Sequence, residues 1–123
     1  MDLVLARLAG ARPPTVEALR AALHRQDWLK PEADRGVWTR SFDMTGGHIR
    51  LLTKGPEEPW YDVPCLQARL APDADFRVLG PRIVPLAGAL SLGIATTGSK
   101  GALWWPAPEP EAVSEHASIE RWP

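Results

Sequence analysis

The spacing of apolar residues changes near residue 31, and this change constrains the fold more than any other feature of the sequence. Upstream, apolar side chains recur every three or four positions, at Val16, Leu19, Ala22 and Leu23. Downstream, from Trp38 to Met44, apolar residues fall on every second or fourth position. The first period is that of an amphipathic helix, and the second is that of a half-buried strand. The sequence therefore predicts an α+β fold.

The predicted helix covers residues 16–26 and carries a signal at each end. Thr15 is a favourable N-cap because its hydroxyl can accept a hydrogen bond from the first turn, where Glu17 adds negative charge. Lys30-Pro31 predicts the stop, because the residue before a proline avoids the helical conformation. Together these signals place one helix between the two boundaries.

The first ten residues are predicted to form a second, shorter helix. Asp2 can cap a helix over residues 3–9, and Gly10 is placed to end it. Arg12-Pro13-Pro14 then predicts an extended connection, because each proline restricts the residue before it. The N-terminal third is accordingly expected to be helical and to pack on a sheet formed by the residues that follow.

Residues 37–53 are predicted to form a β-hairpin. The first strand would place Trp38, Phe42 and Met44 on one face and Thr39, Ser41 and Asp43 on the other. Thr45-Gly46-Gly47 supplies the turn, since glycine accepts the positive φ that short hairpin loops need. Residues 48–53 then form the returning strand.

Beyond residue 60 the sequence predicts further short strands and leaves two segments open. The predicted strands are residues 76–79, 83–86, 90–96 and 102–105, of which the last two form a hairpin around 97–101. Residues 65–71 fit either a strand or a short helix. A helix over residues 86–94 is the alternative there, but Gly88 and Gly93 would each cost it about 1 kcal/mol relative to alanine.

The length fits one domain followed by a tail. A chain of 123 residues, with 45% apolar and 24% charged residues, can bury one core without cross-links. We expect a single α+β domain over residues 1–106, with N-terminal helices packed on a mostly antiparallel sheet of hairpins. Residues 107–123 form a proline-rich acidic tail that should begin as extended polyproline and is either partly ordered or unstructured.

Cysteine content, hydropathy and charge indicate the cellular compartment and the class of partner. Cys65 is the only cysteine, which excludes an internal disulfide and fits a reducing compartment. The longest charge-free apolar stretch, residues 83–97, contains proline and glycine and is shorter than the roughly 20 residues of a membrane-spanning helix. A soluble cytoplasmic protein is expected, with no membrane partner. The net charge of −1 lacks the basic excess typical of nucleic-acid binding, so nucleic acid is not the expected partner.

One pair of side chains could support catalysis. Asp43 and His48 flank the glycine turn, and a carboxylate that orients an imidazole can make it a general base. With Arg50 as an anion contact, these residues predict a small RNA-directed enzyme as one candidate function. The glycine-flanked histidine that follows one helix distantly resembles small toxin-like RNA-binding domains, which implies RNA as the ligand. A local contact at the hairpin end is the simpler interpretation, so no catalytic residue is favoured.

Other chemical patterns are weaker. Residues 93–100 look like a phosphate-binding loop, but Ser99 precedes Lys100 where that motif needs the reverse order, so a hairpin turn is predicted. Cys65 has no cation or base beside it in the sequence and is predicted to be a small buried residue. The histidines and the cysteine lack the paired spacing of a metal site. We expect neither a metal nor a cofactor.

The aromatic residues indicate a contact surface. The chain has six tryptophans, and in a strand Trp104 and Trp105 would point to opposite faces, leaving one outside the core unless another layer covers it. Trp60 and Tyr61 lie in a proline-bounded loop. We predict a non-enzymatic protein-binding module, of the accessory, inhibitor or immunity type, that uses these four residues. The alternatives are the RNA-directed enzyme and a structural subunit of a homo-oligomer, and the rings could also simply cover a small sheet.

Overall fold

The structure is a computed structural model that describes residues 2–7, 12–32, 39–56, 61, 63–96 and 105–106. The helices are α1 (Val16–His24) and α2 (Phe76–Ala89). The strands are β1 (Asp2–Arg7), β2 (Lys30–Pro31), β3 (Ser41–Met44), β4 (Gly47–Leu52), β5 (Cys65–Leu70), β6 (Leu92–Thr96) and β7 (Trp105–Pro106). The predicted turn at 97–101 and the predicted tail at 107–123 lie outside the described residues.

The described strands form one antiparallel sheet in the order β2-β3-β4-β5-β1-β6-β7. β1 lies between β5 and β6, and its Leu5 is opposite Leu66 on one side and Ile94 on the other. Since helices are combined with an antiparallel sheet, the predicted α+β class is confirmed. The prediction that the helices are N-terminal is corrected, because α2 lies between β5 and β6 in the chain.

The first helix begins where the sequence predicts it. The Thr15 hydroxyl accepts a hydrogen bond of 3.1 Å from the amide of Ala18, as an N-cap should. The helix ends at His24, two residues earlier than predicted, and Arg25 forms its C-cap. Lys30 and Pro31 are therefore not the stop signal. They form the edge strand β2, a position that tolerates proline because one side of the strand needs no donor.

The predicted hairpin is also present. β3 and β4 pair with Phe42 opposite Ile49 and Met44 opposite Gly47, so Thr45 and Gly46 form a two-residue turn. Gly46 has φ of +89°, which a residue with a side chain rarely adopts. The described part of the first strand begins at residue 39, and residues 37 and 38 lie outside it. The second predicted hairpin agrees with the pairing of β6 and β7, in which Ile94 is opposite Trp105.

The prediction of a helix over residues 3–9 is wrong, because residues 3–7 belong to the interior strand β1. Leu3 and Leu5 contact the core beneath the helices, whereas Val4 and Ala6 are buried on the opposite face. A strand that is buried on both faces has no alternation of apolar and polar residues. A short unbroken apolar run of this kind cannot be distinguished from a helix by its period.

The strands predicted at 76–79 and 83–86 are wrong as well, because both segments belong to α2. The Asp75 carboxylate caps this helix by accepting a hydrogen bond of 2.9 Å from the amide of Arg77. A buried stripe made by Leu79, Ile83 and Leu86 holds the helix against the sheet. The open segment 86–94 divides between the end of α2 and the start of β6, and residues 65–70 form a strand rather than a helix.

Pro81 and Pro85 lie inside α2, and both are exposed. A proline in a helix interior removes one backbone hydrogen bond and crowds the preceding turn, at a cost of about 3 kcal/mol. Part of that cost is offset because proline also restricts the unfolded chain. We expect Pro85→Ala to raise the free energy of unfolding by about 1–2 kcal/mol, measured by urea denaturation.

Pro72 provides a matched control of opposite sign. It occupies the second position of a turn that is closed by the hydrogen bond from the Ala74 amide to the Ala71 carbonyl, where proline is favourable. Pro72→Ala should therefore lower the free energy of unfolding by up to about 1 kcal/mol. Equal effects at residues 72 and 85 would contradict this account of α2.

Within the described residues, neither helix is long and apolar enough to cross a lipid bilayer.

Candidate functional site

The two faces of the sheet differ, and the candidate site lies on the face away from the helices. Both helices pack on one face, where Leu19 and Leu23 of α1 join Leu79 and Ile83 of α2 in one core cluster. On the opposite face, which we call the helix-free face, a second cluster is made by small residues of β1, β5 and β6 together with Val63. The other half of the helix-free face, formed by β2, β3, β4 and part of β5, is polar.

Strand register places five polar side chains in one row across this polar half. Lys30 is opposite Asp43, which is opposite His48. His48 is in turn opposite Arg69, and Arg69 is opposite Asp2. The Arg69 guanidinium donates two hydrogen bonds to the Asp2 carboxylate, of 3.2 and 3.3 Å. The row therefore alternates in charge from β2 to β1, with the histidine at its centre.

Asp43 and His48 come together as predicted, although they are not bonded to each other. The Leu51 amide donates to the Arg40 carbonyl at 2.7 Å, so the hydrogen-bonded pairs of this hairpin include residues 40 and 51. By alternation, Asp43 and His48 form a pair without backbone hydrogen bonds, the kind in which opposing side chains are closest. Among the described residues, no hydrogen bond or ion pair joins the two side chains. The imidazole is thus near a carboxylate that does not orient it.

Arg50 lies one row further along the same face. It is exposed and is opposite Ser41 of β3 and Gln67 of β5. It is two positions from His48 on β4, so the side chains of both project from the helix-free face. The three residues predicted as a catalytic alternative, Asp43, His48 and Arg50, therefore share one face.

A recess of about 320 Å³ lies at the open end of this hairpin, where β3 begins and β4 ends, away from the turn. It is lined by Arg40, Ser41, Arg50, Leu51, Leu52, Thr53 and Lys54. Three of these seven residues are cationic and none is acidic. A second recess, of about 380 Å³, lies at the opposite end of β3 and is lined by Asp27, Trp28, Leu29, Lys30, Asp43, Met44 and Thr45.

Only part of the predicted aromatic patch can be placed. Tyr61 is 53% exposed, which makes it one of two large apolar residues that are exposed to solvent in the described part of the chain. Trp105 lies in the edge strand β7. Trp60 and Trp104 are outside the described residues. A tryptophan that the sequence did not single out, Trp28, is partly buried and donates its indole N–H to the Gln26 side chain at 3.1 Å.

Cys65 is buried, as the sequence predicts. Its side chain is 0% exposed in the small-residue cluster of the helix-free face. Burial raises the pKa of Cys65 to about 12, since the thiolate would lose its hydration there. A thiol that stays protonated near neutral pH cannot attack an electrophile.

This raised pKa predicts a dependence of stability on pH. Between the ordinary thiol pKa near 9 and the folded value near 12, the unfolded state loses a proton that the folded state keeps. The free energy of unfolding should therefore fall as the pH rises above about 9, by up to about 1.4 kcal/mol per pH unit. Urea denaturation from about pH 8 to about pH 10 measures the slope, which should be smaller in Cys65→Ala. Identical slopes in the two proteins would contradict the assignment to Cys65.

Sequence reasoning missed Lys30 and Arg69 as members of the row, and Arg40 and Lys54 as lining residues of the recess. Each stands alone in the sequence, and only strand pairing brings them together. Among the described residues, no three histidine, cysteine, aspartate or glutamate side chains form a group that could hold a metal ion. In the segment that looks like a phosphate-binding loop, residues 93–96 belong to β6, while residues 97–100 lie outside the described residues.

Comparison with known proteins adds no relationship: no family model matches the chain, and no curated protein or solved structure is significantly similar to it.

Proposed function

We propose that this protein is a non-enzymatic binding module whose partner is another protein, contacted through Trp60, Tyr61, Trp104 and Trp105. The observation that carries the proposal is the exposure of Tyr61, which is 53% accessible to solvent. Tyrosine is large and amphipathic, and it is among the residues that most often dominate the affinity of protein interfaces. When a partner covers an exposed ring, apolar surface is removed from water, and this lowers the free energy of the complex.

The charge pattern of the helix-free face favours a protein over a nucleic acid. Along the row of five residues, the acids Asp2 and Asp43 alternate with the cations Lys30 and Arg69. The two carboxylates would repel a phosphate backbone laid across the row. A protein surface that carries both signs of charge can match such a pattern, which supports specificity and correct orientation.

The test is native mass spectrometry of the tagged protein purified from its own host, followed by measurement of affinity for the copurified partner. Tyr61→Ala and Trp105→Ala should each weaken binding at least about tenfold, the loss expected for an aromatic residue at the centre of an interface. Val78→Ala is the matched control, because Val78 is 47% exposed on α2 and should leave the affinity unchanged. If Tyr61→Ala and Trp105→Ala bind the partner as tightly as wild type, the proposal is wrong.

A small RNA-directed enzyme is the second candidate, and the placement of Asp43, His48 and Arg50 favours it. In RNA cleavage His48 would take the proton of the ribose 2′-hydroxyl while that oxygen bonds to the adjacent phosphorus, and the 5′-oxygen would leave and take a proton from water. Asp43 would orient the imidazole, and Arg50 would contact the phosphate. The missing Asp43–His48 hydrogen bond does not exclude the reaction, since such contacts often tighten only when substrate binds. Cleavage of RNA by the purified protein, lost in His48→Ala and kept in Arg77→Gln, would place this function first.

A further inference from the structure

The recess at the open end of the β3–β4 hairpin has a charge composition that the proposed protein-binding function does not explain. Arg40, Arg50 and Lys54 line it, and all three are exposed. Glu32 is close along the backbone, because its amide donates to the Ser41 carbonyl at 2.8 Å, but it is not among the lining residues. Among the described residues that line it, the recess therefore gathers three positive charges and no negative one, although the whole chain has a net charge of −1.

Unlike Arg69 and Arg77, these cations have no ion-pair partner in the part of the chain that the structure describes. Arg69 pairs with Asp2 at 3.2 Å, and Arg77 pairs with Asp75 at 3.3 Å. Within the described residues, Arg40, Arg50 and Lys54 take part in no ion pair and in no side-chain hydrogen bond. Like charges lining one recess repel each other, so an anion placed among them relieves that repulsion as well as forming new contacts.

The other lining residues suit an oxyanion. The hydroxyls of Ser41 and Thr53 supply neutral hydrogen-bond donors beside the cations. Leu51, which is 2% exposed, and the partly buried Leu52 give the recess an apolar wall. An apolar wall of low polarisability focuses the field of nearby charges toward the open side. Arginine also matches phosphate oxygens with two parallel N–H donors, which lysine cannot do.

We propose that this recess binds a phosphate group, either as free phosphate or as the end of a small phosphate monoester. Its volume of about 320 Å³ lies at the lower end of the range for small-molecule sites, and it can hold a phosphate with a small group attached. A small ligand is favoured over a polyanion, because the Asp43 carboxylate in the adjacent row would repel further phosphates. The site is separate from the residue that carries the protein-binding proposal, since Tyr61 is not among the described residues that line it.

The test is a titration of the ¹⁵N-labelled full chain, followed by backbone amide chemical shifts. Inorganic phosphate and glycerol phosphate are each added at constant ionic strength, with chloride as the control salt. We expect saturable shifts at residues 40, 41 and 50–54, which chloride does not produce. Arg50→Gln and Lys54→Gln should each weaken phosphate binding about tenfold or more, the loss expected when a charge-assisted contact is removed. Arg77→Gln, which removes a cation from α2, should bind like wild type.

The two ligands distinguish the sources of the phosphate. Glycerol phosphate that binds at least tenfold more tightly than inorganic phosphate supports a monoester, and equal affinity supports free phosphate. Shifts that do not saturate, that chloride reproduces, or that survive in Arg50→Gln and Lys54→Gln would overturn the site. Because Tyr61 and Trp105 are untouched in these variants, failure here and failure of the protein-binding proposal are separate results.

Discussion

Gly47→Ala should lower the free energy of unfolding by about 3 kcal/mol or more, which is a large part of the stability of a small domain. Gly47 begins β4 and is opposite Leu70 of β5. A Cβ at this position would lie 3.1 Å from the Leu70 Cα and closer still to the Arg69 carbonyl oxygen. Both atoms belong to the backbone of a neighbouring strand, so the clash can be relieved only if β4 moves away from β5. Thermal or urea denaturation measures the loss.

Gly80 is the matched control for this substitution. It lies in α2, and a Cβ there would meet no atom outside the local helix backbone within 4 Å. Alanine stabilises a helix by about 1 kcal/mol relative to glycine. This gain is opposed because a residue with a Cβ directly before Pro81 disfavours the helical backbone conformation. We therefore expect Gly80→Ala to leave stability nearly unchanged. A loss at Gly80 as large as that at Gly47 would show that the clash with β5 is not the cause.

Phe42→Ala should lower the free energy of unfolding by about 3–5 kcal/mol, the usual range for removal of a large buried ring. Phe42 is 0% exposed and packs in the core beneath the helices. Its ring meets the His24 ring edge to face, with the centroids 5.0 Å apart and the planes at 82°. Loss of the ring would leave a cavity between α1 and the hairpin, where the surrounding side chains can relax only in part.

Two further variants test whether the cavity is the cause. Phe42→Leu keeps most of the apolar volume and should cost less than half as much as Phe42→Ala. Asp43→Ala, at the neighbouring exposed position, should change stability by no more than about 0.5 kcal/mol. If Phe42→Leu is as damaging as Phe42→Ala, contact with the His24 ring rather than volume would be the main contribution.

Those elements that the sequence predicted correctly are the ones specified by nearby residues. The helix α1 has its cap, Thr15, directly before its apolar stripe. The β3–β4 hairpin has an alternating strand and a glycine turn within a few residues of each other. Signals of this kind are local, so they can be interpreted without knowing what the segment packs against.

The elements that were predicted wrongly depend on contacts with distant parts of the chain. β1 contains an apolar run whose conformation is decided by β5 and β6 on either side of it. α2 contains two prolines that oppose a helix locally, yet its buried stripe of Leu79, Ile83 and Leu86 is satisfied by packing against the sheet. Tertiary packing overrides local preference in both segments.

Most of the candidate site could not be predicted from the sequence for the same reason. Asp43 and His48 were found because only a turn separates them. Arg69 and Asp2 are 67 positions apart, and Arg50 joins Arg40 and Lys54 in one recess only after β3 and β4 have paired. The net charge of the chain is close to zero, so it gives no sign of the excess of positive charge that strand pairing creates at the recess.

The position of β1 has a consequence for how this protein reaches its native state. The strand at the start of the chain can complete its hydrogen bonds only after residues 65–70 and 92–96 have been synthesised and have left the ribosome. Its apolar side chains stay exposed to solvent during that interval. A long loop must then close before the partner strands cover them, and this slows folding. Shielding of this segment by a chaperone during synthesis would therefore protect the nascent chain when it is most prone to aggregate.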